Sequence, residues 1–246
     1  MRRFFLEKNS VKEGKAIIRG SEAKHIGKVL RLEVGDTLCL LDENGWEYQA
    51  AIISKSSKLV EVELLKKSPP RNGPSITVVL GQALPKAKKM DFIVQKATEL
   101  GVSTIIPFFS ERTIPSLDDE QLKKRRIRWK RIALEATKQC GRLVVPHIEE
   151  MLPFKEILKE WSDNYLKIIL WEDEKNVKLK QVLSDNQPHQ KVIILIGPEG
   201  GFTAEEVDMA RQAGFKSVSL GKYILRTETV GLCLLNILQY EWGEMG

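Results

Sequence analysis

The sequence predicts an α/β fold with a mainly parallel sheet, preceded by a small all-β domain. Three observations favour this fold class. Glycines and turn residues recur at short intervals over the first 66 residues, which is typical of a small barrel or sandwich. The segment KKSPPRNGPS at 66–75 has the proline and basic content of a linker. From residue 76 onwards strand patterns alternate with helix patterns, which indicates parallel strands covered by helices, so we expect domains at 1–72 and 73–246.

Length, charge and cysteine usage narrow the class of protein. The 246 residues suffice for a small and a medium domain, and an apolar content of 42% suffices for packed cores. The net charge of +6 favours an anionic partner. Three scattered cysteines and three scattered histidines predict neither a disulfide framework nor a metal site, and no apolar run approaches the ~20 residues of a membrane span. We therefore expect a cytoplasmic protein with no metal and no membrane segment.

The strands of the first domain are predicted from its turns. Residues 37–41 and 46–54 flank the turn sequence DENG, which is a hairpin signal. Residues 59–65 alternate well enough between apolar and polar side chains to form a third strand.

A short helix is expected between the first strands, at residues 21–32, with Ser21 as its cap. Helical spacing would place Lys24, Lys28 and Arg31 on one face, with His25 beside it. This face is either ordinary solvated surface or a patch for a polyanion, which Arg2 and Arg3 could join.

The second domain alternates strands with helices. The predicted strands are 76–81, 104–108, 144–148, 166–171, 192–196 and 217–220, and the predicted helices are 90–101, 118–141, 154–161, one following Thr203, and 228–242. Thr203 with Glu206 three residues later predicts a capping box at the start of the fourth helix.

The long helix at 118–141 combines an apolar face with a basic one. Seven basic residues and no acidic residue lie between Gln121 and Arg131. The basic face is either a solvated surface or a stripe that faces phosphates, since like charges one turn apart destabilise an isolated helix unless anions neutralise them. The apolar face holds Leu122, Trp129, Ala133, Ala136 and Cys140, and the basic face holds Lys124, Arg128, Arg131, Lys138 and Arg142.

Two glycine-containing loops near the C-terminus predict a ligand site. The strand at 192–196 stops at the sequence GPEGG, and the strand at 217–220 stops at Gly221 before a loop at 222–229. Ligands of open α/β sheets bind at the carboxyl ends of strands. No phosphate-binding motif is present, and Glu199 would repel phosphate, so the expected ligand is neutral or cationic with hydroxyls or an adenine edge. The alternative is an ordinary strand–turn–helix.

The last helix, 228–242, is apolar nearly all round. A terminal helix of this kind is expected to be buried on two sides. We expect the second side to be covered by another subunit in a homodimer.

Specific motifs carry a resemblance over the whole chain. The paired C-terminal motifs are similar to those of the SPOUT methyltransferases and, within them, of the bacterial 16S ribosomal RNA (uracil-1498-N3)-methyltransferases. One departure is Val230, where that family usually has alanine. The motifs are Gly197-Pro198-Glu199-Gly200-Gly201-Phe202 and Leu220-Gly221-x-x-Ile224-Leu225-Arg226-Thr227-Glu228-Thr229, supported by Arg2-Arg3-Phe4-Phe5, His25-x-x-x-Val29-Leu30-Arg31, Gln95-Lys96-Ala97-Thr98-Glu99-Leu100-Gly101-Val102, Ser110-Glu111-Arg112 and Glu135-Ala136-x-x-Gln139-x-x-Arg142.

The resemblance implies a fold and an activity. The first domain would be a PUA-like β-barrel that handles RNA, and the second an α/β domain whose C-terminal part is tied in a trefoil knot. S-adenosyl-L-methionine would bind in the knot at a homodimer interface, and its methyl group would pass to uracil N3 of 16S ribosomal RNA in the small ribosomal subunit.

The resemblance also implies residue roles. Arg226 would stabilise the uracil anion or act as a structural clamp, and Glu228 would be the base or would hold Arg226, with Glu199 as the rival base. Trp171 is either a wall of the cofactor pocket or a capping core aromatic. The expected cofactor-binding residues are Trp171, Ile196, Gly197, Pro198, Glu199, Gly200, Gly201, Leu220, Gly221, Ile224, Leu225, Arg226 and Thr227. The expected RNA-binding residues are Arg2, Arg3, His25, Lys28, Arg31, Arg112, Lys138 and Arg142.

Two other functions remain open at this point. One is a SPOUT enzyme that methylates a ribose 2′-hydroxyl or a tRNA base. The other is a ribosome-binding protein that kept the fold without catalysis.

Overall fold

The computed structural model describes residues 3–6, 10–42, 45–56, 58–69, 76–114, 117–159, 161–185, 190–243 and 245, with the side chains of Arg3 and Ser21 left outside the description. The chain divides into two compact units. One comprises Met1–Gly73 with Thr137–Val145, and the other comprises Pro74–Ala136 with Pro146–Gly246. The sequence analysis assigned 137–145 to the second domain, whereas here this stretch groups with the first unit. The predicted boundary at 72/73 falls on residues outside the description and stays a prediction.

The first unit is built on one six-stranded sheet with the order β1-β4-β5-β6-β3-β2. Strands β1 and β4 pair parallel, and the other neighbours pair antiparallel. The predicted hairpin is confirmed, with Leu41 opposite Glu47. The strands are β1 (Arg3–Phe5), β2 (Val11–Lys12), β3 (Lys15–Arg19), β4 (Thr37–Leu41), β5 (Glu47–Lys55) and β6 (Leu59–Ser68).

Alternation along these strands builds the core of the first unit. Every second residue of β3 is buried, as is expected of a sheet with one face on a core. The core residues include Phe4, Ile18, Leu38, Leu40, Ile52 and Val60. This antiparallel sheet agrees with the small all-β domain that the turn spacing predicts.

The predicted helix at 21–32 is confirmed in part: the chain is helical from Gly20 to Val29, so Ser21 lies inside the helix and is not its cap, and the helix ends before residue 32. Helix α1 (Gly20–Lys24) passes into one π-turn at His25–Val29. In this turn the Leu30 amide donates to the His25 carbonyl, five residues back, at 2.9 Å. Arg31 then takes a positive φ of 52° and leaves the helix. Because the 3.6-residue period is broken, Lys24, Lys28 and Arg31 do not share one helical face.

The second unit has a sheet of seven strands within the described residues, and every pairing in it is parallel. The strand path is β10-β8-β7-β12-β11-β13, with β9 paired to β8. The strands are β7 (Thr77–Ala83), β8 (Thr104–Phe109), β9 (His147–Ile148), β10 (Leu152–Pro153), β11 (Leu166–Leu170), β12 (Lys191–Ile196) and β13 (Lys216–Val218). The α/β expectation with a mainly parallel sheet is therefore confirmed; the trefoil knot stays a prediction.

Six helices follow β7 within the described chain, and the end of one of them, α3, groups with the first unit. They are α2 (Lys89–Glu99), α3 (Asp119–Cys140), α4 (Phe154–Ile157), α5 (Leu179–Ser184), α6 (Ala204–Gln212) and α7 (Thr227–Trp242). The alternation pattern did not predict α5 or β10, and it predicted a strand at 144–148 where only His147–Ile148 form one. Elements as short as these carry little periodic signal.

The central strands place the candidate site. Strand β12 is buried along nearly its whole length between β7 and β11, and its apolar side chains join the core. Helix α7 packs on β7 and β12, with Gly231 facing Leu80 and Ile196, and its Leu234, Leu235 and Leu238 are fully buried. The carboxyl end of β12 and the start of α7 therefore meet at one edge of the sheet.

Candidate functional site

The GPEGG loop forms the first wall of the site. It turns tightly, since the Gly201 amide donates to the Pro198 carbonyl at 3.0 Å and Gly201 has a φ of +67°. A Cβ on Gly197 would lie only 3.1 Å from the backbone carbonyl carbon of Gly201. Gly201 needs glycine for its left-handed backbone, and Gly197 needs it for this close approach. The loop leads into α6 through the predicted capping box of Thr203 and Glu206, which is confirmed.

The loop after β13 forms the opposite wall. It runs from Ser219 to Arg226 without regular structure. Tyr223 and Ile224 are 73% and 83% exposed, so an apolar rim faces solvent beside the site. Large exposed apolar side chains at the edge of a cavity are suited to covering a ligand.

A buried hydrogen-bond chain ties α7 to the GPEGG loop. The Thr227 hydroxyl donates to the Gly197 carbonyl at 2.6 Å and accepts from Gln82 Nε2 at 3.0 Å. Gln82 lies on β7 and is fully buried, and its Nε2 also donates to the Ala83 carbonyl. Strand β7, the loop after β12 and the first turn of α7 are thus held in one arrangement.

Between the two loops lies a cavity of about 390 Å³. This volume is typical of a site for a small molecule. Twelve of the thirteen residues predicted to bind a cofactor line it, and Gly200 does not. The Gly200 carbonyl instead accepts from Arg112 Nη1 at 2.7 Å. The lining residues that the sequence analysis missed are Lys89, Leu170, Glu172, Val218, Ser219, Lys222, Tyr223 and Val230.

Trp171 takes part in both the wall and the core. Its side chain lines the cavity and also packs against the buried apolar cluster that includes Ile169, Ile193 and Phe202. The Arg211 guanidinium lies 5.5 Å from the centre of the ring. The Nε1 atom of Trp171 is buried and has no hydrogen-bond partner among the described residues.

Lys89, the first residue of α2, contacts two carboxylates, of which Glu199 lines the cavity and Glu228, a predicted catalytic residue, does not. Its Nζ lies 2.9 Å from Glu199 Oε1 and 3.2 Å from Glu228 Oε2. The contact with Glu199 is a hydrogen bond, whereas Glu228 Oε2 is buried and accepts no well-aligned one. Glu199 also accepts from the Lys86 amide at 3.1 Å.

These contacts shift two pKa values in opposite directions. Burial raises the pKa of the Glu199 carboxyl, but hydrogen bonds from Lys89 and from the Glu199 and Lys86 amides outweigh it, so the pKa is lowered. The hydrogen bond to Glu199, with a further contribution from Glu228, outweighs burial and raises the pKa of Lys89. Lys89 therefore stays a cation and Glu199 an anion near neutral pH.

The predicted catalytic pair is not paired in this structure. Arg226 is the N-cap residue of α7, is exposed, and lines the cavity. Within the described part of the chain, Glu228 forms its ion pair with Lys89 and not with Arg226. The roles of Arg226 and Glu228 stay a prediction. No sequence signal singles out Lys89, because it is one of three lysines within four residues.

The predicted RNA-binding residues of the first unit are only partly described. Arg2 and the Arg3 side chain lie outside the described residues. His25 is exposed and packs edge-on against Phe4, with ring centres 6.1 Å apart. Lys28 and Arg31 are exposed.

The remaining predicted RNA contacts already have protein partners or are partly covered. Lys138 forms an ion pair with Glu22, and its side chain is only 16% exposed. Arg142 is half-buried, and Arg112 is exposed but bound to the GPEGG loop. On the basic face of α3, Arg128 pairs with Asp91 at 2.7 Å. The stripe is thus partly neutralised by acidic residues that sequence spacing did not reveal.

The described residues contain no group of three or more acidic, histidine or cysteine side chains placed to hold a metal ion. None of their helices combines the length and the apolar character that crossing a membrane requires.

Comparison with protein families gives two matches. Residues 72–239 match the model of an RNA methyltransferase domain, and residues 18–65 match that of an RNA methyltransferase PUA domain. The first match spans more than half of the chain.

Characterised relatives and solved structures agree with these matches. The ribosomal RNA small subunit methyltransferase E of Bacillus subtilis is 32% identical over 98% of this chain and 97% of its own length. That of Mesomycoplasma hyopneumoniae is 34% identical, covering 96% of this chain and 97% of the relative. The crystal structure of the Neisseria gonorrhoeae enzyme of the same name, bound to S-adenosyl methionine, is 32% identical and superposes with a TM-score of 0.89 over 100% of both chains. A methyltransferase from Legionella pneumophila, also with bound cofactor, is 30% identical with a TM-score of 0.86 over 98% of both chains.

Proposed function

We propose a function from one premise: the chain belongs to the ribosomal RNA small subunit methyltransferase E family of RNA methyltransferases. It is an S-adenosyl-L-methionine-dependent RNA methyltransferase that modifies 16S ribosomal RNA of the small ribosomal subunit. The finer proposal is that the methyl group goes to N3 of a uracil, that of uridine 1498. It acts in the cytoplasm, where ribosomal RNA is made and assembled in bacteria.

The observation that carries this proposal is the cavity between the two glycine loops. Its volume, about 390 Å³, suits a nucleoside-sized ligand. The carboxylates of Glu172 and Glu199 line it together with the cationic side chains of Lys89, Lys222 and Arg226, and Glu228 contacts Lys89. Each lining carboxylate attracts positive charge, and a sulfonium is a cation.

The proposed mechanism divides three tasks among the residues of the chain. The cofactor supplies a methyl group on a sulfonium, and its loss from sulfur leaves a neutral thioether. Glu228 accepts the N3 proton, because Glu199 already accepts hydrogen bonds from the Lys89 ammonium and the Lys86 amide. Arg226, exposed at the cavity, donates to the uracil oxygens that gain negative charge when N3 loses its proton.

Glu228→Gln tests this assignment. We expect kcat to fall by at least about 100-fold with cofactor affinity nearly unchanged, because the amide cannot accept the proton. The matched control is Glu241→Gln, an exposed glutamate at the other end of the same helix. Wild-type turnover in Glu228→Gln would remove Glu228 from the mechanism.

RNA binding is proposed to start from the first unit, which contains the PUA match. Its exposed His25, Lys28 and Arg31 are positioned on one short stretch of chain. With Arg2 and Arg3, they would neutralise phosphates and release counterions. The base must be unpaired or flipped out to reach a cavity of this size.

A homodimer through α7 is part of the proposal. Helix α7 keeps Val230, Leu232 and Ile237 partly exposed, and Tyr240 is 62% exposed. On α2, which packs against α7, Phe92 is 46% exposed. A second copy would cover these apolar side chains. Light scattering at micromolar concentration should give twice the mass of one chain, and the mass of a single chain would contradict the dimer.

The deciding experiment is mass spectrometry of ribosomal RNA nucleosides. RNA from a deletion strain should lack 3-methyluridine, and the purified protein with S-adenosyl-L-methionine should restore it. A lost 2′-O-methyl nucleoside or a lost tRNA modification would favour the second candidate function. Calorimetry that detects no cofactor binding would favour a non-catalytic ribosome-binding protein.

A further inference from the structure

We propose that Lys89 is a further functional residue of the site, which binds a carbonyl oxygen of the acceptor base beside N3. The proposal deepens the function proposed above and rests on it. Lys89 lines the cavity, and its ammonium lies between Glu199 and Glu228 at 2.9 and 3.2 Å.

The contacts of the ammonium leave it one donor to spare. An ammonium carries three N–H groups. One donates to Glu199, from the loop after β12, and Glu228, from the first turn of α7, lies in ion-pair contact at 3.2 Å; these are the charged groups in contact with the ammonium. No third acceptor contacts it among the described residues, and its side chain is 32% exposed. The third N–H is therefore available to a ligand in the cavity that Lys89 lines.

The placement beside Glu228 matches the charge that develops in the reaction. When N3 gives its proton to Glu228, the carboxylate becomes neutral and the negative charge passes to the two oxygens that flank N3. The attraction of Lys89 to Glu228 then weakens, and the cation is left next to the new anion. The N3–carbon bond forms as the sulfur–carbon bond breaks, which neutralises the base and the sulfonium together. A preorganised cation at the site of developing charge stabilises the transition state more than the ground state.

The anchoring of Lys89 keeps it in this position. Glu199 accepts from Lys89 and from the Lys86 amide, so the carboxylate is held by the same loop that leads into α2. The hydrogen bond to Glu199 raises the pKa of Lys89, so the residue is a donor and not a base. Lys89 thus differs in role from Glu228, although the two form an ion pair.

The test compares three variants of the full-length protein. Lys89→Gln removes the charge, Lys89→Arg keeps it, and Lys88→Gln is the control, because Lys88 is exposed and does not line the cavity. Single-turnover methyl transfer to 16S RNA is measured with excess enzyme, and cofactor affinity is measured by calorimetry. We expect Lys89→Gln to slow transfer by about 100-fold or more, the usual effect of losing one donor to a developing oxyanion. Cofactor affinity should change less than about threefold, and Lys89→Arg should keep the rate within about tenfold of wild type.

A pH profile separates this role from simple support of the loop. Without the cation, the N3 proton is held more tightly, so the rate of Lys89→Gln should keep rising at pH values where the wild-type rate has levelled off. Lys89→Arg should show the wild-type profile. A structural role would lower the rate without moving the profile, and that result would overturn the proposal.

The remaining outcomes distinguish the role proposed for Lys89 from the proposed function on which it rests. A wild-type rate in Lys89→Gln, with 3-methyluridine still formed, overturns the role of Lys89 and leaves the proposed function intact. An equal loss of rate and of cofactor affinity overturns it too, because Lys89 would then be a cofactor contact. If the wild-type protein methylates RNA but produces no 3-methyluridine, the proposed function itself is wrong.

Discussion

The hydroxyl of Thr227 gives the sharpest test of how the site is held together. Thr227→Val removes the hydroxyl and keeps the shape of the side chain. Thr227 is 6% exposed, and its hydroxyl joins the Gly197 carbonyl at 2.6 Å to Gln82 Nε2 at 3.0 Å. The substitution therefore leaves two buried polar groups with one bond fewer each.

The expected loss of unfolding free energy follows from these two bonds. A buried carbonyl left unpaired costs about 1–3 kcal/mol, and this applies to Gly197. Gln82 keeps its bond to the Ala83 carbonyl, so its loss is smaller, about 0.5–1 kcal/mol. The added valine methyl regains about 0.8 kcal/mol by burial. The net destabilisation should be about 2 kcal/mol.

Urea unfolding of three variants measures this loss. Thr229→Val is the matched control, because Thr229 lies in the same first turn of α7 and is exposed, so its effect should stay within about 0.5 kcal/mol. Thr227→Ser keeps the hydroxyl and loses only a methyl, so it should cost about 1 kcal/mol. If Thr227→Val were no more destabilising than Thr229→Val, the hydrogen-bond chain would not hold the loop and the reasoning would be refuted.

Two further predictions concern pH and salt. The pKa of Glu199 is lower in the folded chain than its usual value, so its ionised form should stabilise the fold above about pH 4.3 and lose this effect as the pH falls through the folded pKa. The difference in Tm between wild type and Glu199→Gln should therefore be present at neutral pH and shrink in acid, whereas a constant difference would contradict the assignment. RNA affinity should fall steeply with salt, and Lys28→Gln or Arg31→Gln should each reduce the slope of log Kd against log salt by about 1. A binding constant that does not change with salt would argue against phosphate contacts by these residues.

Local patterns of the sequence predicted much of the fold and most of the cavity wall. The apolar run of β12, the glycines after it and the capping box of Thr203 with Glu206 all lie within a few residues of one another. Their conformations follow from strand alternation, from the freedom of glycine and from a hydroxyl that caps the next turn. The order of strands and helices follows from the same signals, because apolar residues repeat with a different period in a helix and in a strand.

Short or irregular elements escaped these patterns. The π-turn at His25–Val29 shifts the helical phase by one residue, so a face drawn with a 3.6-residue period is wrong beyond Lys24. Helix α5 and strand β10 have six and two residues, too few to show a period. In these cases the sheet around the segment, and not its own sequence, selects the conformation.

The sequence by itself determined that two strands end in glycine loops and that the residues after them have the composition of a ligand site, whereas the structure places β11 between these two strands, β12 and β13. Only the tertiary structure decided which charged groups meet there. Lys89 and Glu199 are 110 residues apart, and Gln82 and Thr227 are 145 residues apart. The periodicity of the sequence does not predict contacts over such separations, because they depend on the order in which the strands pack. The ion pair of Lys89 with Glu228 exists because β12 lies beside β7, which brings the start of α2 against the start of α7.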